Sequence, residues 1–340
     1  MRGFTGPGVH AGRRLAGCGN SGNSTEPHPH FPLMEGPDPD TACGLPFRRH
    51  GLGVPRNREI FDAPATSPSR PRLLSMPPAK KRARTYDPGR IRTAILTQLG
   101  HVREAVRTLT PEQFALPTRL PGWTVRDLAA HVAMGVETVS RTIDRDEPPR
   151  PELTLLDWPF ATAVRADDIA DGTRQLAAAH PDLDALFAGT AARLTESLAT
   201  APGARLLAAR TGAMTLDDYL VTRTVELVVH TDDLNAAVPG LDVPYDRQAL
   251  AAATRLLADA LAAKAPGGST EVRIPPYAVV QCVEGPRHTR GTPPNVVETD
   301  PLTWIRLASG RVSWKDAVEE ANVRASGERA DLGGLLPLLR

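Results

Sequence analysis

The stretch TLDDYLVTRTVELVVHTDDLNAA (residues 215–237) decides the fold. Thr215 offers an N-cap hydroxyl, Asp218 stands three residues on as in a capping box, and neither glycine nor proline interrupts the run to Ala237. Leu216, Tyr219, Leu220, Leu227 and Leu234 recur at three- and four-residue steps, the period of a helix that buries one stripe. Arg223, Glu226 and His230 fall on that same stripe, where apolar residues are expected.

Upstream lie three more runs of this kind. Ile91, Ile95, Leu99, Val102, Val106 and Leu109 mark a helix of about five turns, which Thr110-Pro111-Glu112 ends. A second opens at Thr124, with Asp127 at the capping-box position, and its stripe holds Leu128, His131, Val132, Val136 and Val139. The proline-rich residues 144–160 read as a loop. Residues 182–199 form a third helix with Leu183, Leu186, Phe187, Thr190, Leu194 and Leu198 inward. Four long helices joined by loops point to a four-helix bundle.

Downstream the character changes at Pro239-Gly240. An alanine-rich helix over residues 246–264 precedes short strand-like runs at Val272–Ile274 and Val279–Val283. Asp300-Pro301 caps a helix stopped by Gly310, Ser313 and Asp316 cap another, and Val323–Ser326 reads as a strand. This mixture predicts a small α+β domain of about 100 residues.

The first 75 residues contain 11 Gly and 11 Pro and no apolar period, so they read as an extension without a fold. Met76 opens MPPAKKRAR, which reads as the natural start, and Lys80, Lys81, Arg82 and Arg84 read as a solvated arm. The expected division is a disordered extension over 1–85, a bundle over 86–240 and an α+β domain over 241–340. Gly17, Gly19 and Gly22 match GxGxxG without the strand and helix that a nucleotide loop needs.

Composition excludes several classes. No run of 18 apolar residues exists, so no membrane span is expected, and no apolar segment near the start resembles a signal peptide. A cytoplasmic location follows as an expectation. The net charge of +1 argues against a nucleic-acid binder. Cys18, Cys43 and Cys282 have no CxxC spacing, which excludes a disulfide scaffold and a cysteine-built zinc site. Cys282 reads as a buried structural thiol. His101 and His180 have no partners at ligand spacing, and His288 between Arg287 and Thr289 reads as part of a solvated loop.

His131, Glu226 and His230 carry the chemistry. Glu226 and His230 stand one helical turn apart on one face. Burying them without partners costs several kcal/mol, so something must neutralise them. Two imidazoles and a carboxylate on facing helices suit a divalent cation, zinc above all, with a fourth position left open. The alternative is a triad that hydrogen-bonds only to itself in the bundle core.

LPGWTVRDLAAHVA (residues 120–133), followed far downstream by RTVELVVHTDDL (residues 223–234), resembles the mycothiol-dependent maleylpyruvate isomerase family. That family has a DinB-like four-helix bundle, a first motif reading GWT/S-V-x-D-L-x-x-H and a second reading E-x-x-x-H-x-x-D. Its metal ligands are the histidine ending the first motif and the glutamate and histidine of the second. The resemblance therefore implies His131, Glu226 and His230 as ligands. It gives Asp233 a supporting role, and Trp123, which also matches, either packs at the helix start or contacts the substrate. It also implies mycothiol and a divalent metal, expected to be zinc from the donor set, as cofactors. A small-molecule substrate would undergo isomerisation or thiol S-transfer. Arginine makes up 36 of the 40 basic residues, a bias that fits a GC-rich actinobacterial source, and mycothiol is an actinobacterial thiol.

The segment from Glu271 to Trp314, with VRASGERADL (residues 323–332), looks like the bacterial sterol-carrier-protein-like domain. That second resemblance implies a sterol-carrier-like α+β domain after the bundle. It also opens a rival reading, a lipid- or apolar-ligand-binding protein with a structural or vestigial metal.

Overall fold

The computed structural model describes residues 84–162, 166–285 and 293–339. The expected extension up to residue 83, its glycine motif, and Arg287, His288 and Arg290 lie outside the described residues.

The chain enters helix α1 (Pro88–Val106) through Asp87, whose carboxylate caps the Arg90 amide at 2.8 Å. A single turn, α2 (Pro111–Phe114), precedes α3 (Val125–Ile143). The start of α3 is a complete capping box. The Asp127 amide donates to Thr124 Oγ1 at 3.2 Å, and the Thr124 amide donates to Asp127 Oδ2 at 2.9 Å. Helices α4 (Ala166–Ala179) and α5 (Leu183–Thr200) follow, then a hairpin of β1 (Leu206–Ala209) and β2 (Gly212–Thr215), then α6 (Leu216–Ala237), capped by Thr215.

Helices α1, α3, α5 and α6 form the four-helix bundle: α6 packs on α1 and α3, and α5 packs on the same two from the other side. Their inward residues, among them Ile95, Leu99, Leu128, Phe187, Leu194 and Leu220, are almost wholly buried. Helix α4 was not expected from the sequence. It packs against α3 on the flank of the bundle, with Thr173 and Ala177 buried.

Helix α7 (Arg247–Lys264) lies against α1 and α6 with one side and carries the second sheet on the other. The sheet has β3 (Thr270–Ile274), β4 (Ala278–Cys282) and β5 (Val296–Thr299). After them come α8 (Pro301–Ala308), α9 (Trp314–Glu319) and the last strand, β6 (Val323–Ser326). The strand order is β4-β3-β5-β6, antiparallel except for the parallel pair β3–β5, in which Val272 sits opposite Val297. The inner face (Val272, Ile274, Val280, Cys282, Val297) is buried with Leu257 and Leu261 of α7 and Trp304 of α8. The outer face carries Glu271, Arg273, Gln281, Glu298 and Arg324. The alternation is that of a half-solvated sheet. Strand β5 escaped the sequence reading because VVET is short and follows a proline pair.

One apolar core runs from the bundle through α7 into the sheet. Helix α6 shows the result. The sequence reading gave it a single buried stripe, yet Val221, Thr224, Val225, Val228, Thr231, Asp232 and Asp233 are buried as well. The face that looks free in an isolated bundle is covered by α7 and by the segment around α8.

Candidate metal centre

Helix α3 presents His131, and one turn of α6 presents Glu226 and His230. His230 Nε2 stands 3.4 Å from Glu226 Oε2, and His131 Nε2 stands 4.0 Å from the same oxygen. The two imidazoles meet edge to face with centroids 4.8 Å apart. One donor atom from each of the three residues lies within 4.8 Å of the others, so a single cation could touch all three. Two imidazoles and a carboxylate are donors of the kind that can hold a divalent cation with one position left open.

Each ring is held from behind. His230 Nδ1 is 3.1 Å from Asp233 Oδ2, and His131 Nδ1 is 3.3 Å from the Thr173 hydroxyl of α4. With Nδ1 engaged, the Nε2 edge of each ring is the one turned toward Glu226. Trp123 packs edge-on against His131, with centroids 4.9 Å apart, so this residue of the helix start also touches the site.

The electrostatics divide the two histidines. Burial, with the His230 ring beside it, pushes the His131 imidazole down to about 3. Burial also opposes charge on His230, but its bonds to Asp233 and Glu226 outweigh that and raise it to about 9. Burial alone would lift the Glu226 carboxyl; the hydrogen bond from His230 and the charge of Arg223 hold it at about 2 instead. Burial is likewise outweighed at Asp233, where Arg311 and His230 keep the carboxyl far below the ordinary range.

The buried pair Asp232-Asp233 is held by arginines from outside the helix. Arg311, just after α8, donates from Nε to Asp233 Oδ1 and from Nη2 to Asp233 Oδ2, both at 2.8 Å. Arg306 of α8 forks onto Asp232, with Nη2 2.6 Å from Oδ1 and Nε 3.0 Å from Oδ2. Arg119 and the Tyr245 hydroxyl complete the Asp232 shell at 2.9 and 3.2 Å. Sequence reading found Asp233 and missed these arginines and Thr173. The available signal was two adjacent aspartates near the end of an apolar helix, which require cationic partners when buried.

Two members of the triad, His131 and Glu226, line a recess of about 110 Å³ together with Met134, Trp158, Arg210, Tyr219 and Arg223. The Arg223 guanidinium lies over the Tyr219 ring at 4.6 Å and over Trp158 at 6.0 Å. The Glu226 side chain is 29% exposed, so the centre is reachable from outside.

Residues 96–235 match the family model of the mycothiol maleylpyruvate isomerase N-terminal domain, and residues 246–338 match that of the bacterial SCP ortholog. The chain carries both domains, in that order. The isomerase-type domain takes in His131, Glu226, His230 and Asp233, and the SCP-type domain takes in Arg306 and Arg311, so the two matches meet across α6. No curated protein matches the chain. Among the solved structures that resemble it are the crystal structure of the mycothiol-dependent maleylpyruvate isomerase and that of a histidine-to-alanine mutant of it. Each has 16% sequence identity and a TM-score of 0.49, covering 75% of this chain and 97% of the other. Among the described residues, no helix is long and apolar enough to cross a membrane.

Proposed function

We propose that this chain is a mycothiol-dependent metalloenzyme of the isomerase or thiol S-transferase type. In this reading His131, Glu226 and His230 hold a divalent cation, with zinc the ion that two imidazoles and a carboxylate suit best. The observation that carries it is the convergence of these three donors from two helices, with His131 and Glu226 also lining an open recess. When bound, the metal would lower the pKa of a thiol in its open position and so supply a nucleophilic sulfur at neutral pH.

The chain's own residues do the rest. Asp233 and Thr173 hold the two rings in place through Nδ1. Arg223, stacked on Tyr219, and Arg210 put positive charge on the recess wall, which orients an anionic small-molecule substrate beside the thiol. A thiol cofactor suits a reducing compartment, which supports the cytoplasm as the site of the activity. The reading divides the chain into a site-bearing domain over 86–240 and a supporting domain over 241–340, in keeping with where the two family matches meet.

The rival reading, an apolar-ligand carrier, rests on the SCP match. The inner face of its sheet is already packed against α7 and α8, and the bundle recess places two arginines beside its apolar lining. Cobalt-substituted protein titrated with mycothiol separates the two. A sulfur-to-cobalt absorption band that saturates at one equivalent supports the enzyme. Cobalt binding with no such band at any mycothiol concentration counts against it.

A further inference from the structure

We infer that Arg311, contributed by the SCP-type domain, is a positioning residue for the metal centre and acts through Asp233 on His230. The inference rests on the metal-binding reading above and extends it across the chain. Asp233 has no exposed side-chain surface, and its two oxygens have three donors. Oδ1 accepts from Arg311 Nε, and Oδ2 accepts from both Arg311 Nη2 and His230 Nδ1. A planar fork on both oxygens fixes the plane of the carboxylate, which a single point charge would not do. The direction of the bond to His230 is thereby fixed, and with it the rotation of the ring and the aim of Nε2 at Glu226.

Arg311 is itself held in place. Two residues beyond α8, Gly310 with a φ of +72° turns the chain back toward α6. The Arg311 amide then donates to the Arg306 carbonyl at 2.7 Å, and Nη1 donates to the Ser309 carbonyl at 3.0 Å. Nε, Nη1 and Nη2 are thus all engaged, and the side chain is only 19% exposed. The neighbouring pair supplies an internal control. Arg306 grips Asp232 with the same fork from the same segment, yet Asp232 contacts none of the three candidate ligands.

The test is zinc affinity, measured by competition with a chromophoric chelator, beside the melting temperature of each metal-free protein. Asp233→Asn should weaken zinc binding by about 10–100-fold, the usual effect of losing the partner that orients a ligand histidine, and Arg311→Met, which acts through Asp233, should weaken it by about tenfold. Arg306→Met should lower the melting temperature and leave zinc affinity within about twofold of the wild type, since it has no link to a ligand. Adding Arg311→Met to Asp233→Asn should weaken zinc no further than Asp233→Asn alone, because the two act in series. If Arg311→Met fails to fold, Arg311→Lys, which keeps the charge and loses the fork, should still weaken zinc by about tenfold. Tight zinc binding in the wild type with unchanged affinity in the Arg311 variants overturns this inference and leaves the metal site standing. Absence of zinc binding in the wild type overturns both.

Discussion

His230 sits between two carboxylates, and this sets a pH dependence. Its ring is raised from an ordinary 6.5 to about 9 against the penalty of burial, because Asp233 and Glu226 both favour the imidazolium. A histidine raised in the folded state stabilises the metal-free protein fully below its unfolded value and loses that contribution as pH rises through about 9. A ligand imidazole must be neutral, so a metal has to displace this proton. Zinc binding near pH 7.5 should therefore release about one proton and strengthen as pH rises toward 9. Calorimetric titration in buffers of different ionisation enthalpy reads the proton directly, and a buffer-independent heat would contradict the assignment. At this scale the sequence was informative where it broke its own pattern. His131, Glu226 and His230 were legible because polar residues stood on apolar stripes. Thr173 and Arg311 were not, since each reaches the site from an element whose placement only the folded chain reveals.

Among the elements, α3 shows how local chemistry sets the site. The reciprocal hydrogen bonds of Thr124 and Asp127 fix the first turn, and His131 follows two turns on, so the cap sets the angular phase at which the imidazole faces α6. Thr124→Ala should lower stability by about 1 kcal/mol, the usual loss for a removed N-cap. Denaturant unfolding measures it, and a change near zero would show that tertiary packing alone places the helix start. All four bundle helices were legible, because each has a cap and an apolar stripe of helical period. Helix α4 was not. ADDIADGTRQLAAA carries a central glycine, and Ile169 and Leu176 are its only large apolar residues. It is held by packing on α3, and propensity is too weak a signal to show that. Helix α6 was found with its burial understated, since periodicity describes one face and the cover over the other comes from elements after residue 245.

Across the whole molecule, the SCP-type domain braces the isomerase-type domain. Its helix α7 shares the core of α1 and α6, and its arginines neutralise the buried aspartates of α6. The change of character at Pro239-Gly240 was visible in the sequence. The continuity of the core across it was not, because that depends on which surfaces meet. The central claim is that the triad at this junction is a metal centre. A hydrogen-bonded triad would need no ion and would lose only about 1–3 kcal/mol when one member is removed. The direct measurement is zinc content after reconstitution and dialysis, for the wild type beside His230→Ala, with the melting temperature of each. A metal centre should give one equivalent of zinc and a raised melting temperature in the wild type, and almost no zinc and no zinc-dependent shift in the variant. No zinc in either protein, with stability alone lost in His230→Ala, would contradict it.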